Sequence, residues 1–208
     1  CRASIQICGC TGHLAACKDL ASRMGRVLVA CEFSGVVRDA FIRNGDDAIS
    51  CDLLDTENPG PHIVGNVLDI LDDGWDLMIA FPPCTYLANS GARWWADRKS
   101  EQTAALERNR ALLSADIPMI ALENPPGAIG THIRPADQYI QPWQFGHGEV
   151  KKTGLWLKNL PSLQPTHIVR GRIPRVHWES PNVDRWKNRS RTFEGVGQAM
   201  ADTWGQLL

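Results

Sequence analysis

Nowhere in the 208 residues do about 18 apolar residues run together, which excludes a helical membrane span of ordinary length. The amino terminus also lacks the charged-then-apolar order of a secretory signal, so the expectation is a cytoplasmic protein with no membrane partner. A disulfide framework is missing too. Four of the seven cysteines (Cys1, Cys8, Cys10, Cys17) crowd into the first 17 residues, which leaves Cys31, Cys51 and Cys84 for the rest. Cys8, Cys10, His13 and Cys17 do not have the usual spacing of a zinc site, and the remaining histidines are widely scattered, so no metal is expected. Apolar periodicity is absent before Met24, and residues 1–23 read as a disordered or non-native leader to a single domain over 24–208. With 43% hydrophobic and 22% charged residues, the composition is that of a globular chain able to bury one core.

Positive charge is absent from one long stretch. Between Asp46 and Asp76 there are nine acidic residues and no Lys or Arg. The formal net charge of −1 hides a compensating cluster, because Arg170, Arg172, Arg175, Arg185, Lys187, Arg189 and Arg191 fall between Thr166 and Thr192 against only Glu179 and Asp184. Such a one-sided cluster is the footprint of a protein that meets a polyanion, or simply a solvated face.

The pattern of elements is clearer. Val27–Cys31 is a short apolar run, and the helical face of Val36, Val37, Ala40 and Phe41 follows it. Strands are predicted over Asp47–Asp52, Ile63–Gly65, Trp75–Phe81 and Ile117–Leu122, with a helix over Ser100–Ser114. Beyond Pro126 only Lys152–Leu157 and a closing helix over Glu194–Leu208 stand out. Strand alternating with helix predicts an α/β fold, a mostly parallel sheet with helices on both faces. Its carboxyl edge then gathers Glu32–Gly35, Asp52, Gly65-Asn66, Pro83-Cys84 and Glu123-Asn124, where open α/β sheets hold ligands.

Two of these marks carry a resemblance. Pro83-Cys84-Thr-Tyr-Leu-Ala-Asn-Ser-Gly91 follows an apolar strand, and Glu123-Asn124-Pro125 follows the next one. In order and position they resemble the Pro-Cys-Gln-Pro-Phe-Ser-x-Ala-Gly and Glu-Asn-Val motifs of the DNA cytosine-5 methyltransferases. The likeness extends over Met24–Leu208. In compactness, and in QPWQFGHG and RSRTFEGVGQAMADTW, the chain looks like the small methyltransferase-like proteins of bacterial viruses. The resemblance implies a Rossmann-like fold and S-adenosylmethionine as donor. It makes Cys84 the nucleophile at C6 of a flipped cytosine, Glu123 the group that holds N3 and the exocyclic amine, and Asn124 a positioning partner. Around the donor it places Glu32, Phe33, Ser34, Gly35, Asp52, Asn66, Pro82 and Gln198, with Asn66 and Gln198 standing where the family has Asp and Asn.

For DNA contact the resemblance offers Lys151 in register with the family's Gln-x-Arg-x-Arg motif. In place of a separate target-recognition domain there is only a short basic insertion at about 166–189. Arg170, Arg172, Arg175, Arg189 and Arg191, with Trp178 and Trp186 between them, are the candidate contacts. Other readings stay open at this point. RNA is an alternative polymer, and a modified methyl donor is an alternative co-substrate, for which Glu32, Lys151 and Lys152 are the residues of interest. An amino-methyltransferase needs a polar acceptor where Phe81 precedes Pro82-Pro83, and an inert DNA-binding protein would have no use for Cys84.

Overall fold

The computed structural model describes residues 24–180 and 182–208. The leader and its cysteines lie outside the described residues. The first strand, β1 (Arg26–Ala30), is flanked by β2 (Asp47–Asp52) on one side and β4 (Leu77–Ala80) on the other, both parallel to it. β3 (His62–Val64) extends the sheet beyond β2, and β5 (Met119–Asn124) extends it beyond β4. β7 (Thr153–Lys158) then runs antiparallel to β5, and β6 (Gln138–Ile140) antiparallel to β7, giving the order β3-β2-β1-β4-β5-β7-β6. The expected α/β fold with a mostly parallel sheet is therefore present, as a seven-stranded mixed sheet with one reversed strand.

Both faces are covered because the parallel strands are apolar on both sides. Val27 and Val29 of β1 join a core with Phe41, Met200 and Trp204, contributed by α1 (Val36–Asn44) and α6 (Glu194–Trp204). Leu28 and Ala30 point the other way, to Leu106 and Leu112 of α2 (Lys99–Ser114) and Ile129 of α3 (Ala128–His132). β4 is buried at all four positions, which is why its sequence shows a run and not an alternation. The order of strands reverses between β1 and β4, so their carboxyl ends flank a crevice of the kind that receives ligands in such sheets.

Two helices in the basic insertion escaped the sequence pattern, α4 (Arg175–Trp178) and α5 (Arg185–Ser190). At four and six residues they are too short for a 3.6-residue periodicity to show. No helix among the described residues is long and apolar enough to cross a membrane.

Candidate active site

Cys84 lies in the loop after β4, and Glu123 is the next-to-last residue of β5. β4 and β5 are adjacent and parallel, with Ala80 opposite Leu122, so the loops that follow them emerge together at the carboxyl rim. Backbone hydrogen bonds stitch those loops, Asn89 N donating to Pro126 O (3.0 Å) and Ala128 N to Leu87 O (2.8 Å). Within the first loop, Leu87 N and Ala88 N both donate to the carbonyl of Cys84 at 2.9 and 3.0 Å, closing a turn on that residue. Gly127 lets the loops approach, since a Cβ there would lie 1.9 Å from Leu87 O.

Asn124 is the third tie. It is fully buried, and its Nδ2 donates to the carbonyl of Pro82 at 2.9 Å, joining the end of β5 to the proline turn before the cysteine. Its Oδ1 has no partner among the described residues. Asn124 thus holds the cysteine loop to the strand that bears Glu123. Pro82 is buried, and its carbonyl serves this bond.

The cysteine is solvent-exposed, yet protein crowds it closely enough that burial is the largest influence on its thiol and raises its pKa. Glu123 pushes in the same direction, while Lys151 and Arg189 pull it down. Burial likewise raises the pKa of Glu123, against Lys151 and a hydrogen bond from Thr153. Both groups are thereby held toward their protonated forms. Beside them opens a small cleft whose walls include Phe81, Glu123, Lys151, Thr153, Phe193 and Val196. Cys84 stands outside those walls, on its turn at the rim. Sequence reading did not single out Thr153 or Phe193 as parts of a cleft. The only signal for Thr153 is its place at the start of the strand that pairs with β5.

The expected donor-site residues divide. Asp52 ends β2 at the rim, accepts from Leu54 N through Oδ1 (3.0 Å), and keeps further acceptor capacity. Leu53 beside it is 74% exposed, an apolar surface that the sequence did not flag. Asn66 is exposed and uses its Oδ1 to cap the short turn Val67–Ile70 through Leu68 N (3.3 Å). Phe33 is nearly buried, with Trp186 of α5 against it at 6.2 Å between ring centroids.

Other members of the set are engaged within the protein. Glu32 is buried and accepts from Val37 N (2.8 Å), Ser34 Oγ (3.0 Å) and Arg38 N (3.4 Å), so its carboxylate occupies the amino-terminal amides of α1. Ser34 is spent on that same carboxylate. Gly35 adopts φ +75°, and a side chain there would meet Arg38 Nη2 at 2.5 Å. Gln198 lies away from the rim, on the seam between α6 and α1, where it bonds Arg43 (2.9 Å), Asn44 (3.3 Å) and Asp202 (2.8 Å).

The cations divide as well. Lys151 lines the cleft, Arg170 is exposed, and Arg189 acts on Cys84. Arg172 instead lies 3.6 Å over the ring of Trp143, Arg175 pairs with buried Glu149 at 2.9 Å, and Arg191 grips both oxygens of Glu57 at 2.6 and 2.8 Å. Part of the basic cluster is therefore answered by the protein's own acids. No protein-family model matches this chain, and no curated protein matches it.

Proposed function

We propose that this chain is an S-adenosylmethionine-dependent DNA methyltransferase acting on C5 of cytosine, with Cys84 as nucleophile and Glu123 as proton donor. The observation that carries the reading is the placement of Cys84 in the loop after β4 and Glu123 near the end of the adjacent parallel β5, with the Asn124–Pro82 hydrogen bond and two backbone bonds tying the two segments together.

Cytosine C5 is too poor a nucleophile to take a methyl group unaided. Attack of the Cys84 thiolate on C6 forms an S–C6 bond and moves electron density onto C5. Glu123, whose burial favours its protonated form, supplies its proton to N3 as negative charge develops on the ring. Lys151 adds a positive charge on the same side. The C5 proton then passes to water as the S–C6 bond breaks, Cys84 departs as thiolate, and the N3 proton returns to Glu123.

The donor crevice has residues suited to this group. Asp52 offers acceptor capacity to a ribose diol, Leu53 an apolar surface to a purine, and the stretch from 46 to 76, free of Lys and Arg, a negative field for a cationic donor. S-adenosylmethionine bound there supplies an electrophilic methyl carbon.

The test is incubation with labelled S-adenosylmethionine and oligonucleotides containing 5-fluorocytosine, whose fluorine blocks the final elimination. A denaturation-resistant, labelled adduct mapping to Cys84 is expected, and Cys84→Ser should abolish it. Label on an exocyclic amine with no adduct would rule the reading out.

A further inference from the structure

Three tryptophans stand well exposed, Trp94 at 50%, Trp178 at 69% and Trp186 at 55%. All belong to segments tied to the carboxyl rim. Trp94 lies in the 3-10 segment Asn89–Asp97, which starts where Asn89 bonds Pro126 at the end of the Cys84 loop. Trp186 leans on Phe33 just after β1. Trp178 ends α4, and Asn188 of α5 bonds the following Glu179, which keeps α4 and α5 together. Cations accompany the rings, Arg93 at 5.1 Å from the Trp94 centroid and Lys187 at 5.8 Å from that of Trp186.

Duplex DNA offers this surface little. Its bases show edges in the grooves, whereas an exposed indole has a face to offer, and base faces are free only where a strand is unpaired. Arg172, Arg175 and Arg191, which a duplex backbone would need for anchorage, are held by Trp143, Glu149 and Glu57.

Resting on the reading of Cys84 and Glu123 as a DNA-modifying pair, we infer that the polymer received at this rim is single-stranded DNA, its bases stacking on Trp178 and Trp186 on the way to Cys84. A base in such a strand reaches the cysteine without the cost of breaking a pair. Lys187 and Arg189 on α5, with Arg170 and Lys151, meet the few phosphates that accompany those bases.

Fluorescence anisotropy with the full chain and a labelled 16-nucleotide strand, alone and annealed to its complement, tests this directly. The single strand should bind at least about tenfold more tightly than the duplex, with tryptophan fluorescence quenched on binding. The slope of log K against log salt should be about −3, as expected for four phosphate contacts on a single strand. Trp178→Ala and Trp186→Ala should each weaken binding about tenfold, while Trp186→Phe, which keeps a π face, retains most of it. Duplex affinity equal to or above that of the strand, or alanine variants that bind the strand unchanged, would overturn the inference. Trapping with 5-fluorocytosine separates the two claims. Tight single-strand binding without an adduct leaves the stacking surface standing and sinks the methyl-transfer reading. An adduct formed only on duplex does the opposite.

Discussion

The Cys84 thiol is accessible but not activated at rest. Burial and Glu123 together outweigh Lys151 and Arg189 and leave its pKa above the ordinary thiol value. The other two described cysteines do not compete, because burial pushes Cys31 up to about 12 and Cys51 to about 11. At pH 8, iodoacetamide should therefore alkylate Cys84 more slowly than a free thiol, with the rate climbing as pH rises past 9. Peptide mass spectrometry distinguishes it from the cysteines of residues 1–23. Where pH is high enough to ionise Glu123, Glu123→Gln removes a negative neighbour and should speed alkylation of Cys84, whereas Lys151→Ala should slow it. No change in either variant would mean that these charges do not reach the sulfur. Glu123 also makes a stability prediction. Its folded pKa lies above the unfolded carboxylate value of about 4.3, so the folded state holds its proton more tightly and loses stability as pH rises between the two values. Glu123→Gln should leave the melting temperature unchanged near pH 4 and raise it at pH 8, by roughly 2–4 °C for each kcal/mol recovered. A Gln variant that melts lower at pH 8 would show the ionised carboxylate to be favourably paired instead.

At the scale of elements, the site depends on two loops held closer than side chains allow. Gly127 has extended backbone, so its role is space: a Cβ would sit 1.9 Å from the carbonyl oxygen of Leu87 and force the Cys84 loop away from the end of β5. Gly127→Ala should cost about 1–3 kcal/mol in urea denaturation. It should also slow adduct formation about 100-fold, the penalty of an ångström of misplacement between reacting groups. Full adduct rates in a destabilised variant would separate folding from positioning and refute the second part. The sequence showed the strands that flank these loops plainly, because β1, β4 and β5 are buried on both faces and appear as apolar runs. It could not show the reversed direction of β7, since pairing direction leaves no periodicity. β6, at three residues, is shorter than any pattern. Polar residues misled for a different reason. Glu32 and Gln198 look like ligand groups in a string of letters, and only packing reveals that one caps α1 and the other bridges α6 to α1. Arg38 is the extreme case. It is fully buried, bonding Ser50, Thr56 and the carbonyl of Asn58.

Across the whole molecule, the acidic and basic stretches that stand apart in the sequence meet in space. Arg191, at the end of the basic insertion, holds Glu57 in the loop after β2 with a two-pronged ion pair, and Trp186 rests on Phe33 alongside. α5 is thereby fastened against the loops following β1 and β2, the proposed donor side. Both partners of the ion pair are more than a third exposed, at 39% and 35%, which limits its worth to ~0.5–1 kcal/mol even with good geometry. Arg191 holds the carboxyl of Glu57 below the ordinary range, so the pair is fully present above that range and is lost as pH falls through the lowered value. Screening by salt weakens it in the same way. Glu57→Gln should therefore loosen α5 without unfolding the sheet, and limited trypsin digestion reads this directly. Cleavage after Arg185, Lys187 and Arg189 should accelerate about two- to fivefold in the variant, the factor matching that energy. The melting temperature should move by no more than a few degrees. Raising salt to 1 M should bring the wild-type digestion rate toward that of the variant, because both remove the same attraction. A wild-type rate that ignores salt, or a variant cut no faster, would mean that Trp186 on Phe33 holds α5 without help from the ion pair.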